Sequence, residues 1–491
     1  MESLYLLAMK TKIGILTILL LGLCFAGCNK DSTLPEQTEQ QKVYLYVNTF
    51  AFNRINQYYL WNEEVAAALK DWKTADEPIA KVQSVRYRDD RWTLLTDDVD
   101  SFYDSTTGHR KGFGFEVGID LSAAQLIVLY TYAGSPAEEA GLKRGDAITS
   151  LNGSPIPTQD YSAFIKQALR NSDRVTLGMK SGATISLTAR DMYENPVLLS
   201  KIFDCGGKKV GYLAYTSFTL DSYKDLISIC KAFKQAGVSE LILDLRYNGG
   251  GFVLAEQFFA SMLAPEAVVK AKSVLSTEVY NSKLTAQYAK EGVDNRSYFT
   301  TEFKFSTTDG QKYDFSTADA NLGLSRLYAI VSSGTASASE ALLCDLYPYM
   351  DITLVGAQTH GKFCTGWLFR GPDFYKETAD ESREKGVDPD EGKRYTENWA
   401  LYLMYARFAD KDGVTRCMPD GLTPDYAVKD NPKNPCPLGD PQEDMLARAL
   451  ALCGYPTPAP AAHSQALSNA DDTPVLQDYD RPGFGVYLKL P

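Results

Sequence analysis

Two apolar runs that each end in small residues constrain this chain more than any other feature. Leu241-Ile242-Leu243-Asp244-Leu245-Arg246 runs into Tyr247-Asn248-Gly249-Gly250-Gly251, then a helical stretch through Ala264. Leu327–Val331 is followed by a Ser/Gly/Thr-rich turn, a helix over Ser337–Tyr347 and a strand over Ile352–Gly356. With Val210–Tyr215 as a strand and Ser222–Ala236 as an amphipathic helix, the pattern predicts a mainly parallel sheet. Such a sheet carries its functional loops at the C-terminal ends of its strands. A polar insertion over about 271–325 and a charged surface excursion over Asp373–Asn398 interrupt the pattern.

The preceding segments differ in character. Residues 44–108 show apolar and aromatic residues at three- and four-residue spacing, as in Phe50 to Trp61, and predict a small helical cap whose aromatics most simply serve packing, a ligand box being the lesser alternative. Residues 110–193 alternate short strands with turns (Phe113–Ile119, Leu126–Tyr132, Ala147–Leu151, Arg174–Met179, Thr184–Thr188). There, Gly112-Phe113-Gly114-Phe115 is followed by Gly134-Ser-Pro-Ala-Glu-Glu-Ala-Gly-Leu-Lys-Arg-Gly-Asp-Ala-Ile148 and Leu151-Asn-Gly153. These pieces, in this order, resemble a PDZ domain. The resemblance implies a peptide-binding loop at Gly112, Phe113, Gly114 and Phe115, whose backbone N–H groups face a peptide's end while the next strand pairs with it. A structural β-domain without a bound peptide is the plainer alternative.

At the start of the chain, Lys10 and Lys12 precede an apolar run from Ile13 to Phe25 and then Ala26-Gly27-Cys28. A short cationic stretch, an apolar core and small residues form a signal-peptide pattern. The position of Cys28 resembles the lipobox of bacterial lipoproteins and implies lipidation there, after removal of residues 1–27. Residues 28–43 then read as a polar tether. Seven further cysteines remain, enough for up to three disulfides in an oxidising compartment; Cys417–Cys436 is the first pair to test. Residues 455–491 read as a Pro/Ala/Ser-rich tail, with Gly483–Leu490 a candidate final strand.

Composition narrows the chemistry. The net charge is −12 without a basic block, which argues against a nucleic-acid partner. The chain has three His, no CxxC pair and no HExxH, so metal catalysis has little support and no cofactor is expected. A serine nucleophile needs a base, and no His stands in a triad-like context, which leaves Lys as the better candidate. Ser337-Ala-Ser-Glu340 also reads as an ordinary capping box, and Lys362 alone as a surface charge.

Taken together, the Asp244–Gly251 strand end, Ser332–Glu340 and Thr359-His360-Gly361-Lys362 resemble the C-terminal processing (tail-specific) proteases, a Ser/Lys peptidase family. The resemblance runs from the helical cap to a closing helix over Asp444–Leu452. It implies Ser337 as nucleophile, Lys362 as general base, and Gly250 with the Ala338 amide as oxyanion hole. Ser339 is the nearest competitor to Ser337, and His360 shapes the loop. Many family members carry a Gln four residues after the Lys; here that position is Gly366, which leaves the lysine-orienting contact unassigned.

The implied fold class is multi-domain α+β: the helical cap, the PDZ-like β domain and, over 199–454, an α/β (crotonase/Clp-like ββα) protease domain. The implied activity is that of a serine endopeptidase on extended or C-terminal segments of envelope proteins, anchored to a membrane in the bacterial envelope through Cys28. A non-cleaving peptide-binding lipoprotein on the same scaffold is the alternative, motivated by Gly366. A small-molecule hydrolase or crotonase-like enzyme built on similar α/β units is a third, weaker one.

Overall fold

The computed structural model describes residues 37–100, 102, 107–307, 310–379, 387–434, 436–456, 475–477 and 487–489. The signal segment, Cys28, most of the tether and most of the tail lie outside the described residues. The fold is multi-domain α+β.

The parallel sheet forms where the apolar runs predicted it. Its order is Val197–Cys205, Lys208–Tyr215, Val238–Asp244, Arg326–Val331, Asp351–Gly356 and Tyr426–Ala427, with only the first pair antiparallel. Leu241, Ile242 and Leu243 are wholly buried because helices cover both faces of this strand. The Asp444–Leu452 helix packs Met445, Leu446, Ala449 and Leu450 on one face. The Ala338–Leu346 helix is buried along its whole length on the other.

A second sheet stands beside it, in the order Gly251–Phe252, Tyr487–Lys489, Cys364–Arg370, Ala400–Asp410, Val274–Tyr280 and Arg296–Tyr298, with Leu94–Thr96 also paired to Ala400–Asp410. Sequence reading missed Cys364–Arg370 and Ala400–Asp410. The second is an uninterrupted apolar run (Ala400 to Ala406) buried on both faces, which lacks the alternation of a half-exposed strand.

Two readings of local character need correction. The 373–398 segment is no mere surface excursion: the helices Gly371–Glu377 and Pro389–Tyr395 bury Phe374, Tyr375 and Tyr395 against the N-terminal helix Glu39–Tyr58. That helix begins within the expected tether, started by a Thr38 capping box with Gln41. It is held by Tyr46 donating to Glu391 at 2.9 Å and by Arg54 on Glu377 at 2.8 Å. Its Phe50 and Ile55 share one continuous core with the Ala338–Leu346 helix, so the cap is an integral layer of the larger body.

The expected Cys417–Cys436 disulfide is not formed: all seven described cysteines are free thiols. Cys417 lies in the core beside Cys344, and burial holds its thiol well above the ordinary range. Cys436 is only partly buried, in acidic surroundings near Asp440 and Asp444.

The PDZ-like unit has its own core, including Phe113, Phe115, Leu126, Ile148 and Leu177. Its sheet runs Leu476–Gln477, Phe115–Asp120, Gln125–Thr131, Ala147–Leu151, Arg174–Met179 and Thr184–Thr188.

Candidate active site

Ser337 precedes the Ala338–Leu346 helix in a conformation that L-residues rarely take, φ 64° and ψ −114°. Its hydroxyl is fully buried and has no hydrogen-bond partner among the described residues. The capping-box geometry is present in that Glu340 accepts from the Ser337 N–H at 3.0 Å. Ala338 opens the helix, so its amide is one of the first-turn donors without an intrahelical acceptor. Ser339, the competing serine, is committed to the Asn248 carbonyl at 3.1 Å.

Glu340 does more than cap. The same Oε2 that accepts from Ser337 accepts the Lys362 N–H at 2.8 Å. The two amide nitrogens are therefore no more than about 6 Å apart, two hydrogen-bond lengths around one oxygen. Its Oε1 takes the Gly361 N–H at 2.7 Å and the Thr359 hydroxyl. Burial pushes this carboxyl up to about 7, opposed by those four donors. A fifth tie is His360 N–H to the Thr335 carbonyl at 3.0 Å. Two loops separate in sequence are thus clamped by one buried carboxylate. His360 is held near neutral form by burial and by the Arg91 and Lys362 charges, and it serves this loop through its backbone.

Lys362 is completely buried, and burial drives its ammonium down to about 7. Its Nζ donates to the Tyr402 hydroxyl at 2.9 Å and lies over the Tyr402 and Trp92 rings at 5.0 and 5.7 Å. Trp92 belongs to the cap, whose aromatics sequence reading assigned chiefly to packing. Gly366 now has a reason: a Cβ there would stand 2.2 Å from the Tyr402 ring. The missing side chain makes room for the tyrosine that reaches the lysine. Tyr402→Phe is expected to lower kcat about tenfold with KM nearly unchanged, the cost of one hydrogen bond to a charged or reacting group. Steady-state kinetics on a peptide substrate checks it; an unchanged kcat would remove Tyr402 from the site.

Gly250 sits where the strand end turns back, at φ 109°. Its N–H donates to Asn248 Oδ1 at 2.9 Å, so the expected oxyanion donor is engaged within its own loop. Behind it lies a buried ionic knot. Arg246 reaches Asp244 at 2.8 Å, Glu443 through both terminal nitrogens at 2.7 and 2.8 Å, and Asp430 at 3.1 Å. Asp430 also accepts Arg144 of the PDZ-like unit at 2.7 Å and the Tyr247 hydroxyl. That carboxylate is held below its usual range because the two arginines outweigh burial.

Gly112, Phe113, Gly114 and Phe115 line one small cleft together with Arg170. Both phenylalanines turn into the core, leaving backbone toward the cleft. Gly114 is at φ 76°, and a Cβ would meet Ser135 at 2.2 Å.

Sequence comparison places these features. Residues 209–428 match the model of peptidase family S41, and residues 127–177 that of a PDZ domain. The carboxyl-terminal-processing protease of Synechocystis sp. is 29% identical over 321 residues, 63% of this chain and 64% of that protein. The carboxy-terminal processing protease CtpB of Bacillus subtilis is 24% identical over 266 residues, 53% of this chain and 48% of that protein. The chain thus spans about half to two thirds of the length of these relatives. A solved S41-family structure from Bacteroides fragilis shares the fold, with a TM-score of 0.60 at 22% identity over 83% of this chain and 96% of that one. The chain carries a region that matches peptidase family S41 beside one that matches a PDZ domain, and it is similar to the C-terminal processing proteases.

Proposed function

We propose that the chain is a serine endopeptidase acting on extended or C-terminal segments of envelope proteins, with Ser337 as nucleophile and Lys362 as general base. The observation that carries this reading is Glu340 Oε2, which accepts from both backbones and so holds the Ser337 and Lys362 backbones close together, with a serine hydroxyl unpartnered among the described residues on one side and a wholly buried lysine on the other. Lys362, neutral through desolvation, accepts the Ser337 proton as the oxygen attacks the scissile carbonyl, then returns it to the departing amine. The Ala338 amide receives the developing oxyanion, joined by Gly250 once its bond to Asn248 opens. Water hydrolyses the acyl-enzyme by the same proton route, and no cofactor enters the cycle. The PDZ domain captures the substrate segment. Tyr402 makes the lysine contact that Gly366 leaves open, which supports the cleaving reading over the non-cleaving alternative. Digestion of an unfolded protein by the chain lacking residues 1–28 tests the reading; no digestion by that form or by one that also stops after Thr473 would sink it.

In the same proposal Cys28 carries lipid and tethers the enzyme to a membrane, with the catalytic part in the periplasm or at the cell surface. Cys28→Ser is expected to move the protein from the membrane to the soluble fraction of a bacterial host. Unchanged membrane association would count against the anchor.

A further inference from the structure

Two short strands from the end of the chain lie on the surfaces that the proposed reaction needs. Leu476–Gln477 pairs antiparallel with the outer edge of Phe115–Asp120, the strand that follows the Gly112–Phe115 loop, opposing Leu476 to Ile119 and Gln477 to Gly118. Tyr487–Lys489 enters the second sheet between Gly251–Phe252 and Cys364–Arg370, opposing Tyr487 to Gly251, Leu488 to Phe252 and Gly366, and Lys489 to Trp367. One wall of this slot follows directly on Gly250. The other begins two residues after Lys362, and its Gly366 abuts the Tyr402 ring that holds that lysine.

The slot has a definite width. Neighbouring strands stand about 4.8 Å apart, so walls that both pair with one strand are about 10 Å apart, room for a single extended chain. Gly251 is bridged on its other side by Phe218, so its remaining edge opens only toward the slot. On the PDZ domain the edge of Phe115–Asp120 likewise accepts one strand, its other edge being taken by Gln125–Thr131. Both surfaces are those an incoming extended peptide would use by strand addition.

We propose that the strands Leu476–Gln477 and Tyr487–Lys489 act together as an intramolecular pseudosubstrate that occupies the PDZ edge and the cleft slot at once and competes with substrate peptides. The proposal rests on the endopeptidase reading of the cleft. The two strands are close enough in sequence that about 30–35 Å of extended chain can join them, so both can seat together. Tethering gives such a segment an effective concentration in the millimolar range, which a free peptide must exceed. The resting enzyme is then closed by its own chain, and an activator or a substrate with a stronger PDZ grip opens it. The engaged Gly250 amide belongs to this closed state.

The test compares the full chain with the chain stopped after Thr473, and with the full chain carrying Leu488→Pro, which removes the strand's N–H without removing the segment. If the segment is docked nine times in ten, its release lowers KM about tenfold with kcat unchanged. Binding is read separately on Ser337→Ala forms with a fluorescent peptide of residues 474–491. The shortened form is expected to bind it at least tenfold more tightly than the full chain. Equal binding by both forms, or binding by neither, overturns the proposal. A binding difference without hydrolysis by any form keeps the pseudosubstrate and rejects the endopeptidase.

Discussion

Ser337→Ala and Lys362→Ala are each expected to reduce peptide hydrolysis by about a thousandfold or more, with both proteins folded and peptide binding retained. The magnitude follows from loss of either partner of a nucleophile–base unit, whose effects do not add. The double variant is therefore expected to be no worse than either single one. The pH profile carries the sharper information. Lys362 must be neutral to accept a proton, and burial places its titration near 7. Activity in the parent rises as pH climbs through that region and is lost below it. Protonation of Glu340 acts in the same direction, because a neutral carboxyl near 7 and below holds the Ser337 and Lys362 amides less firmly. A profile flat from pH 5 to 9, or hydrolysis surviving Ser337→Ala in contaminant-free protein, would show that this pair is not the engine.

Arg246→Ala is expected to cost about 3–5 kcal/mol of stability, the range for breaking a buried ion pair by removing one partner. The guanidinium is 1% exposed and serves Asp244, Glu443 and Asp430, so its loss leaves the buried Asp244 and Glu443 without their cation and Asp430 with Arg144 alone. For a domain of this size the melting temperature falls by about 10 °C. Arg246→Lys keeps the charge but lacks the planar fork that meets Glu443 with two nitrogens, and is expected to fall between. The linkage has a definite sign. Burial alone would raise Glu443 and Asp430, but the arginines hold both below their ordinary values. The stability they contribute is complete above the ordinary carboxylate range and drains as pH falls through it. Thermal melts at pH 7 and pH 3.5 check this: the Arg246→Ala deficit should shrink in acid. A melting temperature unchanged at pH 7 would refute the account.

The parallel sheet was legible because Leu241–Leu245 and Leu327–Val331 are short apolar runs with small residues at their ends, a pattern that few folds accommodate. Ser337 and Lys362 were legible only through their order and spacing. Tyr402, Glu340 and Trp92 were not. Tyr402 lies in an apolar strand where a tyrosine reads as core, and nothing local marks which way its hydroxyl reaches. Glu340 was visible as a capping residue, and that reading hid its second task, because Lys362 lies a strand and a loop away. Trp92 comes from a segment about 270 residues upstream of the lysine it covers. The strand at 487–489 was visible as a pattern, but its seat was not, because its partners are Gly251 and Gly366 rather than any neighbour in sequence.

The knot around Arg246 also sets a schedule for making the protein. Glu443 follows Arg246 by 197 residues. A ribosome adding about 5–20 residues per second delivers it about 10–40 s after the arginine. Throughout that interval the central strand of the sheet carries a guanidinium with Asp244 in reach but without Asp430 or Glu443. The knot is therefore completed late: a chain interrupted before residue 443 leaves Arg246 without Glu443, while the PDZ-like unit already has a core of its own.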